Sequence, residues 1–136
     1  MSDCTFCKII KKQIPADFVY ENDKIVAFLD IHPNNPGHTL VVPKEHHADI
    51  LETPDDVILD IMSRTKKIAA SIMKAVGAQG FNIICNTKPA AGQIIFHTHF
   101  HIIPRFTNDG LRHWPEKHLS AEELKNVAQR IKAELK

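Results

Sequence analysis

The sequence predicts an α+β fold: an antiparallel sheet of about five strands with one long central helix and a C-terminal helix. Three observations carry this. Five short runs of strand-forming character are separated by turn-forming residues. One long segment after Thr53 repeats apolar residues at helical spacing. A second amphipathic segment follows Ser120.

Cys4 to Lys12 reads as a short amphipathic turn or helix, ended near Pro15. Residues 17–20 and 24–30 read as two strands joined by the turn residues Glu21-Asn22-Asp23. Residues 31–37, with Pro33, Asn34, Asn35 and Pro36, form a loop by composition, and residues 38–43 a third strand. Thr53-Pro54-Asp55-Asp56 predicts a helix start, with a capping threonine, proline at the first helical position and acids in the first turn. Val57, Ile58, Ile61, Met62, Thr65, Ile68, Ala69, Ile72 and Val76 follow at helical spacing, and Gly77 supplies the stop. Residues 81–85 and 94–104 are the last two strands. Ser120 and Glu123 have the spacing of a capping box, and Leu124, Val127, Ala128, Ile131 and Leu135 line a closing amphipathic helix. The predicted arrangement has the helices packed on the sheet.

The 136 residues amount to one ordinary domain, without internal repeat or low-complexity tract. At 43% apolar and 24% charged, the composition is that of a globular protein. A net charge of +1 gives no broad basic field for nucleic acid. The longest apolar runs are too short for a membrane span, and Met1-Ser2-Asp3-Cys4 lacks a signal-peptide profile. The expectation is a cytoplasmic protein.

Nine histidines are present, and they cluster. In His97-Thr98-His99-Phe100-His101, strand alternation puts three imidazoles on one face at a spacing of about 6.7 Å. Thr98, Phe100 and Ile102 point the other way, toward a core. Packing alone does not account for three imidazoles in a row. A histidine-rich outer face and a metal site built by the three histidines are the alternatives. A neutral imidazole is a competent nucleophile near pH 7.

Cys4 and Cys7 have the spacing of a zinc half-site, with no second half nearby in sequence. Too little chain precedes Cys4 for the strand that a thioredoxin-like redox motif requires. Cys85 reads as a small core residue. His32, His113 and His118 read as surface residues.

The histidine segment resembles the signature of the histidine triad (HIT) family, with Thr98 where an apolar residue is usual. Cys4-Thr-Phe-Cys7-Lys-Ile-Ile, Gln13-Ile14-Pro15, Ala27-Phe28-Leu29-Asp30-Ile31, the run from Gly37 to His46, and Ala91-Gly92-Gln93 resemble its Hint-like, zinc-bearing branch in order and spacing. The likeness runs from residue 4 to about 105, and His113-Trp114-Pro115 resembles a further segment. It implies a single HIT domain over residues 1–136, with its core at about 4–105 and a helix-bearing extension at 106–136.

The resemblance implies that His99 attacks the α-phosphorus of a nucleotide to form a nucleotidyl-histidine that water hydrolyses. His101 would handle the leaving-group proton beside it, with His38 in support. Asp30 would accept the ribose hydroxyls, with Phe28 and Ile31 about the base and Phe6 and Ile14 completing an apolar slot. Ordinary core is the alternative for those four apolar residues. Gly92 permits close backbone approach to phosphate, and the Gln93 amide can donate to it. Asn86 is a third phosphate candidate; a simple turn and a strand end are the alternatives at these positions. Ile94 stands where related proteins often have a serine facing the leaving group.

The family's zinc ligands fall here on Cys4, Cys7, His46 and His97, with His47 as the alternative to His46. Such a set closes a tetrahedron around a structural Zn2+. The function implied is hydrolysis of purine nucleoside 5'-phosphoramidates to the nucleoside monophosphate. A dinucleoside polyphosphate hydrolase or phosphorylase and a non-catalytic nucleotide- or zinc-binding module are the alternatives. An AMP-like ligand and a homodimer are the implied partners, with Trp114 near the partner's active site; nucleic acid and membrane are not among them. The doubled apolar positions Val57/Ile58 and Ile61/Met62 fit one helix stripe for the core and another for a second subunit, against the simpler reading of one wide stripe.

Overall fold

The computed structural model describes residues 3–135; Met1, Ser2 and Lys136 lie outside the described residues. The elements are α1 (Thr5–Ile10), β1 (Phe18–Glu21), β2 (Ile25–Leu29), β3 (Thr39–Pro43), α2 (Asp55–Val76), β4 (Gly80–Ile84), β5 (Phe100–Arg105) and α3 (Ala121–Glu134). Short 3-10 turns occupy Ile50–Glu52 and Pro89–Ala91. The five strands form one antiparallel sheet in the order β1-β2-β3-β5-β4. This is the α+β architecture the sequence predicts.

Both faces of the central strands are buried, so they read as unbroken apolar runs rather than alternating ones. Ile25 and Ala27 of β2, Val41 of β3, and Phe100 and Ile102 of β5 pack against Ile61, Ile68, Ala69 and Ile72 of α2. Val26, Phe28, Leu40 and Val42 turn to the opposite face and meet Phe6 and Ile9 of α1. Truncating a fully buried residue such as Ile61 to alanine costs about 2–5 kcal/mol. Gly37 lets the loop close over this layer: its φ is +93°, and a Cβ there would lie 3.1 Å from both Pro104 and Val76.

Three sequence expectations give way. Pro54, not Thr53, occupies the N-cap of α2, and no side chain caps that end. Thr53 ends the preceding 3-10 turn and is held inward, its hydroxyl donating to the Asp49 carbonyl (2.8 Å) and meeting the Thr98 hydroxyl (2.7 Å). The last strand begins at Phe100 rather than at residue 94. Its ladder with β3 stops at Val41–Phe100, because Pro43 has no N–H to donate and its carbonyl is taken by the His97 ring (2.7 Å). Finally, α3 has the expected capping box, but none of its residues is buried. It is therefore not packed on the sheet; Leu124, Ile131 and Leu135 stay exposed. On α2 the buried stripe is Ile61, Thr65, Ile68, Ala69 and Ile72, while Leu59 and Met62 remain exposed. Among the described residues no helix is long and apolar enough to cross a membrane.

Candidate active site and metal centre

His101 lies on β5 opposite Leu40 of β3, so its ring opens on the α1 face of the sheet. His97 and His99 precede the strand, yet they reach the same face. Thr98 holds the irregular stretch from behind: its N–H donates to the His47 carbonyl at 2.8 Å, and its hydroxyl packs on Thr53. That contact makes threonine workable at a position where an apolar residue was expected. The Phe6 ring stands edge-on to both His97 and His99, at centroid distances of 6.0 and 4.9 Å.

Hydrogen bonds fix the tautomers. A carbonyl only accepts, so the 2.6 Å contact of His99 Nδ1 with the His97 carbonyl puts the proton on Nδ1. Nε2 of His99 keeps its lone pair. Burial pushes the His99 pKa below the ordinary imidazole value, while its carbonyl contact and Asp30 pull the other way. The ring is therefore neutral at pH 7. His38 Nδ1 accepts from the Asn34 amide (3.1 Å), which leaves the proton on Nε2. That Nε2–H donates to His101 Nδ1 at 2.9 Å, with the Asp30 carboxylate 3.6 Å away as a second acceptor. His101 must then carry its proton on Nε2. Burial, followed by the neighbouring His99 and His38, lowers the His101 pKa to about 4. Burial likewise lowers that of His38.

A cavity of about 480 Å³ opens on these rings. Asp30 and Ile31 line one side, Asn86, Gly92 and Ile94 another, and Phe6, Ile14 and Phe28 contribute apolar wall. The pocket thus brings together His99, His101 and most of the expected nucleotide contacts. Phe28 and Phe6 are at once core and wall, so the two readings of those rings coincide. Ile31 and Ile94 are 79% and 83% exposed at its rim. His38 stands behind His101 rather than in the pocket. Gln93 is also elsewhere: its amide is 5% exposed and turned into the fold, donating to the Ala48 and Ile95 carbonyls and accepting from the Lys88 N–H. The Asn34 amide and the Asp49–Lys88 pair were not singled out from sequence. Only Asp49 had a local signal, an acidic residue three places before Glu52.

The metal-ligand candidates converge. Cys4, Cys7, His46 and His97 place their ligating atoms within 4.8 Å of one another. Cys4 and Cys7 Sγ lie 3.4 and 3.5 Å from His97 Nδ1, and the two histidine Nδ1 atoms are 3.1 Å apart. Tetrahedral zinc with sulfur and nitrogen ligands requires edges of roughly 3.3–3.8 Å; the sulfur–nitrogen edges lie in that range and the nitrogen pair slightly inside it, so a small opening of the two rings completes the fit. The tautomer fits as well. His97 Nε2 donates to the Pro43 carbonyl, which leaves the Nδ1 lone pair facing the two thiols. His47 is not among the four converging ligands, so the structure selects His46; His47 Nε2 lies 3.0 Å from a Glu45 carboxylate oxygen. Cys85 is half-buried against the α2 core, and His32, His113 and His118 are exposed.

Known proteins share this fold and much of this sequence. A family model described as the HIT domain matches residues 11–108. A Schizosaccharomyces pombe protein named adenosine 5'-monophosphoramidase is 40% identical, and the match covers 98% of each chain. The crystal structure of a Streptococcus mutans protein superposes with a TM-score of 0.94 at 41% identity, covering 100% of this chain and 87% of that one. A Zn-bound histidine triad family protein from Mycobacterium smegmatis has a TM-score of 0.78 at 33% identity, with 97% of each chain covered.

Proposed function

The chain belongs to the HIT domain family, and from that premise we propose that it hydrolyses purine nucleoside 5'-phosphoramidates to the nucleoside monophosphate. The observation that carries the reading is the 2.6 Å bond from His99 Nδ1 to the His97 carbonyl. It commits the other nitrogen of a neutral imidazole to act as nucleophile toward the pocket. His99 Nε2 forms a bond to the α-phosphorus while the P–N bond breaks. One proton taken up with the substrate passes through His101 Nε2 to the leaving nitrogen, which departs as the amine. Water then attacks the phosphorus, the P–Nε2 bond breaks, and the water's proton returns through His101. Asp30 accepts the ribose hydroxyls, Phe28 and Ile31 hold the base, and Asn86 and Gly92 face the phosphate. The printed activity of the fission-yeast relative supports this substrate class.

Zn2+ is the metal that best suits Cys4, Cys7, His46 and His97. With four protein ligands it would be structural, tying α1 to the residue that holds His99. A homodimer is supported by the edge strand β4, where Phe81 and Ile83 are part exposed, by Leu59 and Met62 on α2, and by the unpacked α3. A cytoplasmic location completes the reading.

The test is a short pulse with adenosine 5'-phosphoramidate, followed by intact-mass analysis and AMP release. Wild type is expected to carry a transient adenylyl adduct, and His99→Gln none. Normal turnover by His99→Ala would sink the mechanism.

A further inference from the structure

We propose that Gln93 is a positioning residue rather than a phosphate ligand, and that it works with Lys88 and Asp49 as a latch setting the phosphate-side wall of the pocket. The wall is the segment from Asn86 to Ile95, which gives the cavity Asn86, Gly92, Ile94 and Ile95. Gln93, Lys88 and Asp49 do not line it.

The segment is closed on itself in both directions. Lys88 N–H donates to Gln93 Oε1 at 2.8 Å, and the Lys88 carbonyl accepts from Ala91 (3.1 Å) and Gln93 (3.2 Å). Gln93 then fastens the closed loop to its neighbours, with Nε2 donating to the Ala48 carbonyl at 2.7 Å and to the Ile95 carbonyl at 3.1 Å. Each polar atom of the buried amide has a partner within the fold, so turning it toward a ligand would leave those partners unpaired.

Lys88 is the strained member. Its φ of 76° and ψ of 157° fall in a region that is essentially glycine's. Its ammonium is tied 2.7 Å from Asp49 Oδ2. Asp49 is anchored in turn, its Oδ1 accepting from the Leu51 and Glu52 amides at 3.0 and 3.3 Å. The Gln93 and Ala91 bonds to the Lys88 main chain, with the Asp49 carboxylate on its ammonium, hold Lys88 in a conformation that its backbone disfavours, and the wall geometry follows from that. A displacement of about 1 Å in such a wall matters to a reacting phosphate.

The affinity readout rests on the nucleotide reading above; the exchange readout does not. Asp49→Asn keeps the Oδ1 acceptor for the 3-10 turn but loses the lysine. Removing a negative charge near the pocket would by itself tighten AMP, whereas release of the latch weakens it, so the two effects have opposite signs. The expected result is about a tenfold loss of AMP affinity in both Asp49→Asn and Gln93→Met, with adenosine affinity held within about twofold. Amide exchange over residues 86–95 should rise in both, while the central strands keep their protection. Loss of AMP in Gln93→Met with AMP retained or tightened in Asp49→Asn would make Gln93 a direct ligand and overturn the proposal; so would unchanged exchange over 86–95. Lys88→Met, which spares both Asp49 caps, stands in for the exchange measurement if Asp49→Asn does not fold. Should the wild type bind neither AMP nor adenosine, the nucleotide reading fails, and the exchange measurement alone decides the latch.

Discussion

Acid should weaken this fold through His101, by an amount that can be worked out. The unfolded imidazole titrates near 6.5, whereas burial between His99 and His38 holds the folded one at about 4. Between those values the unfolded chain binds a proton that the native chain refuses. Stability therefore rises with pH across the window: it is intact above about 6.5 and lost as pH falls toward 4. The full gap corresponds to roughly 3 kcal/mol, and the partial exposure of the ring reduces the usable part to about 2 kcal/mol. Urea unfolding of wild type and His101→Asn at about pH 7 and about pH 4.5 measures this. The asparagine still offers an acceptor to the His38 N–H. The two proteins share every other titrating group, including the metal ligands, so the difference between their pH effects isolates His101. Wild type should lose about 2 kcal/mol more than the variant on acidification. A difference below about 0.5 kcal/mol would show that the ring is not held neutral by burial.

Four other expectations follow from the same geometry. Because burial lowers the His99 pKa, the acid limb of kcat/KM should fall below the ordinary imidazole value, and a limb at or above about 6.5 would contradict a desolvated nucleophile. Cys7→Ser should weaken zinc binding by at least about a hundredfold, read by metal analysis after dialysis against a weak chelator; undiminished zinc would place the ion elsewhere. Thr98→Val removes a buried hydroxyl contact and should cost about 1–2 kcal/mol in chemical unfolding, whereas a neutral result would make the threonine incidental. Deleting residues 120–136 should shift the light-scattering mass from dimer toward monomer, and an unchanged mass would show that α3 plays no part in assembly.

The strands, the long helix and the pairing of Cys4 with Cys7 were legible because each rests on local pattern: apolar runs, 3.6-residue periodicity, ligand spacing. The histidine face was legible for a subtler reason. Alternation placed His97, His99 and His101 together although only His101 lies in the strand. The backbone before Phe100 is irregular, with a bend at 95–97, yet the Thr98 N–H bond to the His47 carbonyl and the His99 bond to the His97 carbonyl hold the rings on one side. Thr53 misled because a capping pattern says nothing of a competing buried partner, and Thr98 lies 45 positions away in sequence. The amphipathic period of α3 was correct, but periodicity reports that a face seeks burial, not which surface supplies it. Gln93 shows the same limit at a side chain: amide chemistry suits phosphate and backbone carbonyls equally, and only the fold decides which lie within reach.

His97 gathers these threads. Its ring faces the two thiols, and its carbonyl holds the His99 Nδ1 proton. A few covalent bonds thus separate the candidate ion site from the carbonyl that fixes the His99 tautomer. Damage to the sulfurs, such as oxidation of Cys4 and Cys7 to a disulfide, would reach the proposed nucleophile without a long relay. The ring duty belongs to histidine, whereas the carbonyl duty belongs to the main chain, so a replacement at this position acts on His99 through the backbone shift it causes.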